Sequence, residues 1–110
     1  MKSLKSEEDI SAEQRLFMSV VTLALQDATY DGPYLQNIIY KRDAIDWIKH
    51  MTSDFKIICL MANLDPEYVY YQSKKNKLFE YTEYQSKVLN RTNKHLTKNR
   101  YVINLNEDYI

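Results

Sequence analysis

From Ser11 onward the chain alternates apolar runs at helical spacing with short polar breaks, and this pattern divides it into elements. Leu16, Phe17, Val20, Val21, Ala24, Leu25 and Ala28 recur at steps of one, three and four, which places them on one broad helical face. Ser11 and Gln14 form a capping box ahead of that face, so a first helix is expected over 12–27. Tyr30-Asp31-Gly32-Pro33 is the strongest break in the chain, because its lone glycine directly precedes a proline. A second helical pattern covers 34–51 through Leu35, Ile38, Ile39, Ala44, Ile45, Trp47, Ile48 and Met51, with Trp47 the natural central packing residue. Lys41, Arg42, Asp43, Asp46 and Lys49 fall between these positions and are expected on a polar face. The 35–39 and 44–51 parts share no single stripe, which leaves either a kink near Lys41 or a wide buried face.

The stretch from Phe55 to Tyr71 carries the most local detail. Thr52, Ser53 and Asp54 are N-cap candidates for a third helix, whose apolar face is Phe55, Ile58, Cys59 and Ala62, widened by Leu60 and Met61. Asn63 tolerates the left-handed conformation that ends a helix, and Leu64 is the expected buried anchor of the turn. Asp65 is a good N-cap and Pro66 a good first residue for a fourth helix, with Val69 facing back. No glycine or proline follows Pro66, so this helix is expected to run to about 84 and on to about 90. Asn90, Thr92, Asn93, Thr97 and Asn99 then predict an extended or turn-rich region, with a possible short strand over 101–105.

Length and composition agree with a helical reading. A chain of 110 residues, 45% hydrophobic, suits one domain with a real core. One glycine and two prolines are too few for the repeated turns of a β-rich fold. The expected fold is a small all-α domain of four to five helices containing a helix-turn-helix-like unit, with an irregular C-terminal tail. Residues 1–10 read as a flexible arm, 11–90 as the helical domain, and 91–110 as a basic then acidic tail. Cys59 is the only cysteine, which excludes an intrachain disulfide and a cysteine-based zinc site; it reads as a small buried hydrophobe. The N-terminus shows no apolar leader and no run is long enough for a bilayer, so a cytoplasmic protein is expected.

Formal net charge is zero, but it is unevenly spread. Residues 1–65 carry seven Lys/Arg against ten Asp/Glu, and residues 66–103 carry eight against three. Such a basic half suits a nucleic-acid-binding face on an otherwise neutral domain. Enzymatic constellations are nearly absent. His50 and His95 stand alone, a single glycine cannot build a phosphate loop, and the carboxylate pairs Glu7-Glu8 and Asp43-Asp46 lie in polar settings that would not raise a pKa. No enzyme activity, cofactor or metal is expected.

A helix-turn-helix unit needs a small residue in its first helix, a turn residue tolerant of positive φ, and aliphatic closure from the second helix. Cys59 or Ala62, Asn63, and Leu64 with Val69 meet these needs; Gln72 stands where another aliphatic residue is usual. In a DNA complex Glu67, Tyr68, Tyr70, Tyr71 and Ser73 would lie near base edges, with Lys74, Lys75 and Lys77 on phosphates and Gln72 and Asn76 the only amides available. The string Ala44-x-x-Trp47-Ile48, Phe55-x-x-Ile58-Cys59 and Leu64-Asp65-Pro66-x-x-Val69 resembles small uncharacterised proteins of tailed bacteriophages and prophages, over about residues 13–72. That resemblance implies a helix-turn-helix-like phage domain acting in DNA binding or transcription regulation. This chain has Asn63 where the pattern usually has glycine, and Tyr70 or Tyr71 where it usually has arginine.

Two functions compete on this basis. One is a phage-type DNA-binding protein that meets double-stranded DNA through Tyr68, Tyr70, Tyr71, Gln72, Lys74, Lys75, Lys77 and Arg91, in the host cytoplasm. The other is an accessory module that binds a host or viral protein through its tyrosines, which supply the amphipathic anchors that interfaces favour. A homodimer, joined through the exposed part of the long fourth helix, is compatible with either.

Overall fold

The computed structural model describes residues 10–91. The arm before them lies outside the described residues, as do Lys94, His95, Arg100 and the strand expected over 101–105. Among the described residues the chain is all α-helical: α1 (Ala12–Ala28), α2 (Leu35–Lys49), α3 (Ser53–Met61), α4 (Pro66–Lys75) and α5 (Glu83–Arg91).

The capping residues act where their chemistry placed them. Ser11 Oγ accepts the Gln14 N–H at 3.0 Å, Thr52 Oγ1 accepts Phe55 N–H at 3.1 Å, and Asp65 Oδ1 accepts Glu67 N–H at 3.0 Å. Between α1 and α2, the Tyr30 ring lies so close over Gly32 that a Cβ there would collide with it, and the Tyr30 hydroxyl accepts Tyr34 N–H at 3.0 Å. Glycine at 32 thus answers a close approach rather than a backbone angle, and a larger residue would displace the Tyr30 ring and its bond to Tyr34.

The core joins α1, α2 and α3. Val21, Ala24 and Ala28 of α1 meet Ala44, Ile45, Trp47 and Ile48 of α2 and Phe55, Ile58 and Cys59 of α3. Trp47 is its centre, with the Phe55 ring edge-on at 5.1 Å between centroids. The helix α2 is unbroken and has the wide buried face. Its buried residues include Lys41 and Asp43, which charge alone had placed on the solvent side. Leu60 and Met61 correct the pattern in the other direction. They do not widen the buried face of α3 but stand exposed on its outer side, and Leu64 is only half-buried.

The largest departure is at the end of α4. Instead of continuing to 84 or 90, the helix stops at Lys75, and Lys77 takes φ 62°. Leu78 N–H donates to Ser73 O at 2.9 Å and Lys77 N–H to Lys74 O at 3.1 Å, the paired bonds of a Schellman ending. The same pair closes α3. Leu64 N–H reaches Cys59 O at 2.8 Å, Asn63 N–H reaches Leu60 O at 3.0 Å, and Asn63 has φ 62°. With glycine almost absent from the chain, asparagine and lysine occupy left-handed positions that glycine would take at lower cost.

Past this stop, Leu78, Phe79 and Tyr81 pack on the core, and the chain re-enters a helix as α5. Gln85, fully buried, fastens α5 to the rest. Its amide nitrogen donates to Tyr30 O at 2.9 Å and Gly32 O at 3.1 Å, while its Oε1 accepts Lys41 Nζ at 2.8 Å and Thr82 N–H at 3.1 Å. One side chain therefore ties α5 to α2 and to the turn that precedes it.

Candidate binding face around helix α4

The helix α4 shows a different residue on each side. Val69 and Ser73 face inward; Ser73 is 3% exposed and donates its hydroxyl to Val69 O at 2.7 Å. This removes Ser73 from the residues expected near base edges, and it puts the second inward contact four residues after Val69 rather than at Gln72. Tyr70 is half-buried, its ring tilted against Phe79 at 5.7 Å, so it serves packing more than contact with a ligand. Tyr68 and Tyr71 remain open at 62% and 61% exposure, as do Lys74, Lys75 and Lys77. Arg91 is exposed at the far end of α5, which docks on α2, so it belongs to another part of the surface.

The charges on α4 follow its axis. Asp65 and Glu67 occupy the N-terminal end and Lys74 and Lys75 the last turn, each matching the sign that the helix dipole favours. A carboxylate pair therefore stands at the end that a groove-inserted helix would push toward bases, and the lysines stand roughly 12–15 Å away at the other end, given the rise per residue.

Beside α4 lies a groove of about 550 Å³ whose opposite wall is α1. Val21 and Leu25 from α1, Leu64 from the α3–α4 corner, Val69 from α4 and Leu78 after α4 give it an apolar floor, with Tyr68 beside it. Thr22, Gln26, Gln72 and Asn76 supply uncharged polar edges. Lys74, Lys75 and Lys77 are exposed outside this lining, which carries no charged side chain. Val21 and Leu25 belong to the core as their spacing predicts, and they also line this channel, whose signal in the sequence is Leu64 with Tyr68 and Gln72 on one side of α4.

A second polar cluster is closed to solvent. Lys41, 1% exposed, has its ammonium bonded to Gln85, 3.8 Å from Asp31 Oδ1, and 5.3 Å above the Tyr81 ring centroid. Burial pulls its pKa below the ordinary lysine value, and the Asp31 carboxylate pulls the other way. Tyr81 is pushed up to about 12, chiefly by burial and then by the field of Asp46. Cys59 is pushed up to about 11, again by burial first and Asp65 second, which keeps it a neutral thiol of low reactivity. His50 is exposed with Asp46 as a 3.9 Å neighbour. Among the described residues, no three His, Cys, Asp or Glu side chains converge as metal ligands would, and no helix is long and apolar enough to cross a membrane.

Compared with family models, with curated proteins and with solved structures, the chain gives no match to any of the three.

Proposed function

We propose that this chain is a protein-interaction module that seats an apolar segment of another protein in the groove between α1 and α4. The observation that carries this reading is the channel itself: an apolar lining from α1, α4 and the residues after each stop, with Tyr68 and uncharged polar side chains beside it. Apolar walls supply affinity, and a few polar or charged groups at the rim fix direction. Tyr71 extends the contact surface on the outer side of α4. In keeping with the resemblance to phage and prophage proteins, the partner is a host or viral protein met in the host cytoplasm.

DNA binding is the second reading, favoured by the three exposed lysines at one end of α4. Against it stand Asp65 and Glu67 at the end that a recognition helix would present, and two tyrosines where arginine or amides would read bases. In this second reading the lysines meet phosphates and the role is transcription regulation.

A displayed library of random ten-residue peptides separates the two. Selection on the immobilised chain is expected to retain peptides with spaced apolar residues. Thr22→Glu, a change at an exposed groove position, should weaken the best of them at least tenfold. The groove reading fails if no peptide is retained. If long duplex DNA is then shifted at low salt, and Lys74→Glu with Lys75→Glu and Lys77→Glu abolishes the shift, the DNA reading replaces it. Sedimentation of the same sample reports whether either form acts as a homodimer.

A further inference from the structure

We infer that two copies of this chain exchange α5, with α4 and α5 of each joined into one helix and each Gln85 seated in the other copy. The seat needs no new chemistry, because it is the one α5 already fills. Gln85 is the buried residue of α5, and its side chain bonds to Lys41 and to the carbonyls of Tyr30 and Gly32. A glutamine from a second copy satisfies the same groups.

What favours exchange is the link between the two helices. Residues 76–82 contain neither glycine nor proline, and Lys77 holds φ 62°, where the Cβ of an L-residue crowds its own backbone. Short connections under strain invite swapping, because straightening them releases the strain. A helical pattern also runs across the stop. In an unbroken helix Tyr71, Leu78, Thr82, Gln85 and Leu89 recur at steps of seven, four, three and four, which puts them on one face. Helical rotation from Val69 to Gln85 comes to about 160°, so this face points away from the core that Val69 enters. Gln85 would also stand about 24 Å beyond Val69 along the axis. One straight helix therefore cannot fill both seats within a chain, and the outward face meets a second copy. Straightening separates the Tyr70 and Phe79 rings, now 5.7 Å apart, and that loss keeps the chain folded on itself when dilute. Leu78 leaves the α1–α4 groove in the exchanged form, so dimer and groove exclude each other; this consequence, unlike the exchange, rests on the groove reading.

Sedimentation equilibrium of the full chain from micromolar to millimolar concentration tests this with two variants of the link. Lys77→Gly suits the turn and disfavours the helix in both chains, and should lower the dimerisation constant at least tenfold. Asn76→Ala with Lys77→Ala favours the helix and removes the Asn76 side-chain bond to Gln72 O, and should raise the constant several-fold. In dimers refolded from a mixture of isotope-labelled and unlabelled chains, filtered NOEs are expected between the Gln85 side-chain amide of one chain and the Lys41 side chain of the other. The inference is overturned by a dimer whose Gln85–Lys41 contacts all lie within one chain, by a constant that Lys77→Gly leaves unchanged, or by an alanine variant that stays monomeric at millimolar concentration. An exchanged dimer from a chain that retains no library peptide would leave the exchange standing without the groove; a strictly monomeric chain that retains peptides would leave the groove without the exchange.

Discussion

Replacing Gln85 by alanine should undo more of this fold than any other single polar substitution. Its side chain makes four hydrogen bonds from a fully buried position, and one of them holds the ammonium of Lys41 at 2.8 Å. Losing a bond to a charged group costs about 1.5–3 kcal/mol, and each neutral donor or acceptor left behind adds roughly 1 kcal/mol where water cannot reach it. The carbonyls of Tyr30 and Gly32 lie at a half-buried turn and regain some water, so the sum is about 4 kcal/mol. That is a large share of the 5–15 kcal/mol typical of a domain. Urea unfolding followed by the fluorescence of Trp47, the only tryptophan and a core residue, measures it directly.

The companion substitution makes the reasoning refutable. Lys41→Met in the parent removes a buried charge and its desolvation cost, and Gln85 Oε1 keeps the Thr82 N–H, so stability should change by less than about 1 kcal/mol. In the Gln85→Ala background the same change removes an ammonium that has lost its acceptor, and should restore about 2 kcal/mol. Amide exchange in α5 should quicken in Gln85→Ala and slow again in the double variant. If the two substitutions prove additive within about 0.5 kcal/mol, Gln85 and Lys41 do not act as a pair and the latch is wrongly identified.

Three further outcomes are expected. Lys77→Gly should stabilise the chain by about 0.5–1 kcal/mol, since Lys77 has φ 62°; in an unbroken helix the same change would destabilise by about 1 kcal/mol, so the sign in a urea titration decides whether α4 stops there. Gly32→Ala should cost about 1–2 kcal/mol in thermal unfolding, because the new methyl group meets the Tyr30 ring whose hydroxyl is already engaged. Cys59 ionises near 9.0 when unfolded but near 11 when folded, so between those values the folded chain holds the extra proton and stability falls as pH rises. Cys59→Ala should lack that fall, and its stability relative to the parent should improve by about 2 kcal/mol from pH 8 to about pH 10.5 in paired urea titrations.

What could be read from the sequence was whatever local chemistry announces. Ser11, Thr52, Asp65 and Pro66 start helices by rules that need only their neighbours, and Trp47 stood out by size within an apolar run. Asn63 was legible as a stop because asparagine tolerates positive φ and Asp-Pro follows it. Lys77 takes the same backbone angle without any such preference, and the break there is set by what it allows: Leu78, Phe79 and Tyr81 reach the core only if the helix ends. Lys41 was misplaced for a related reason. Charge predicts exposure, and the residue that satisfies this one lies 44 positions downstream in a stretch that reads as an ordinary polar helix. The candidate face was half legible, since Tyr68, Tyr71, Lys74 and Lys75 are exposed as spacing put them, whereas Tyr70 and Ser73 turned inward and the groove beside them joins α1 to residues some forty positions downstream.

Those two stops also make the binding face. Each Schellman ending places a hydrophobic residue just past the left-handed position, where it folds back toward its own helix. Here those residues are Leu64 and Leu78, and both line the groove. The segment between them is too short to bury a long stripe, so Val69 and Ser73 anchor α4 while Tyr68, Tyr71 and the lysines stay outside. Had α4 run on to residue 90, Leu78 would have stayed in helical register and the groove would have lost that wall. The turn at Lys77 thus links backbone strain to surface chemistry. Lys77→Gly should keep the groove and strengthen the fold, whereas Leu78→Ala should leave α4 in place and weaken retained peptides several-fold. If Leu78→Ala instead leaves peptide affinity unchanged, the wall it forms carries no binding energy and the seat must be sought elsewhere on α4.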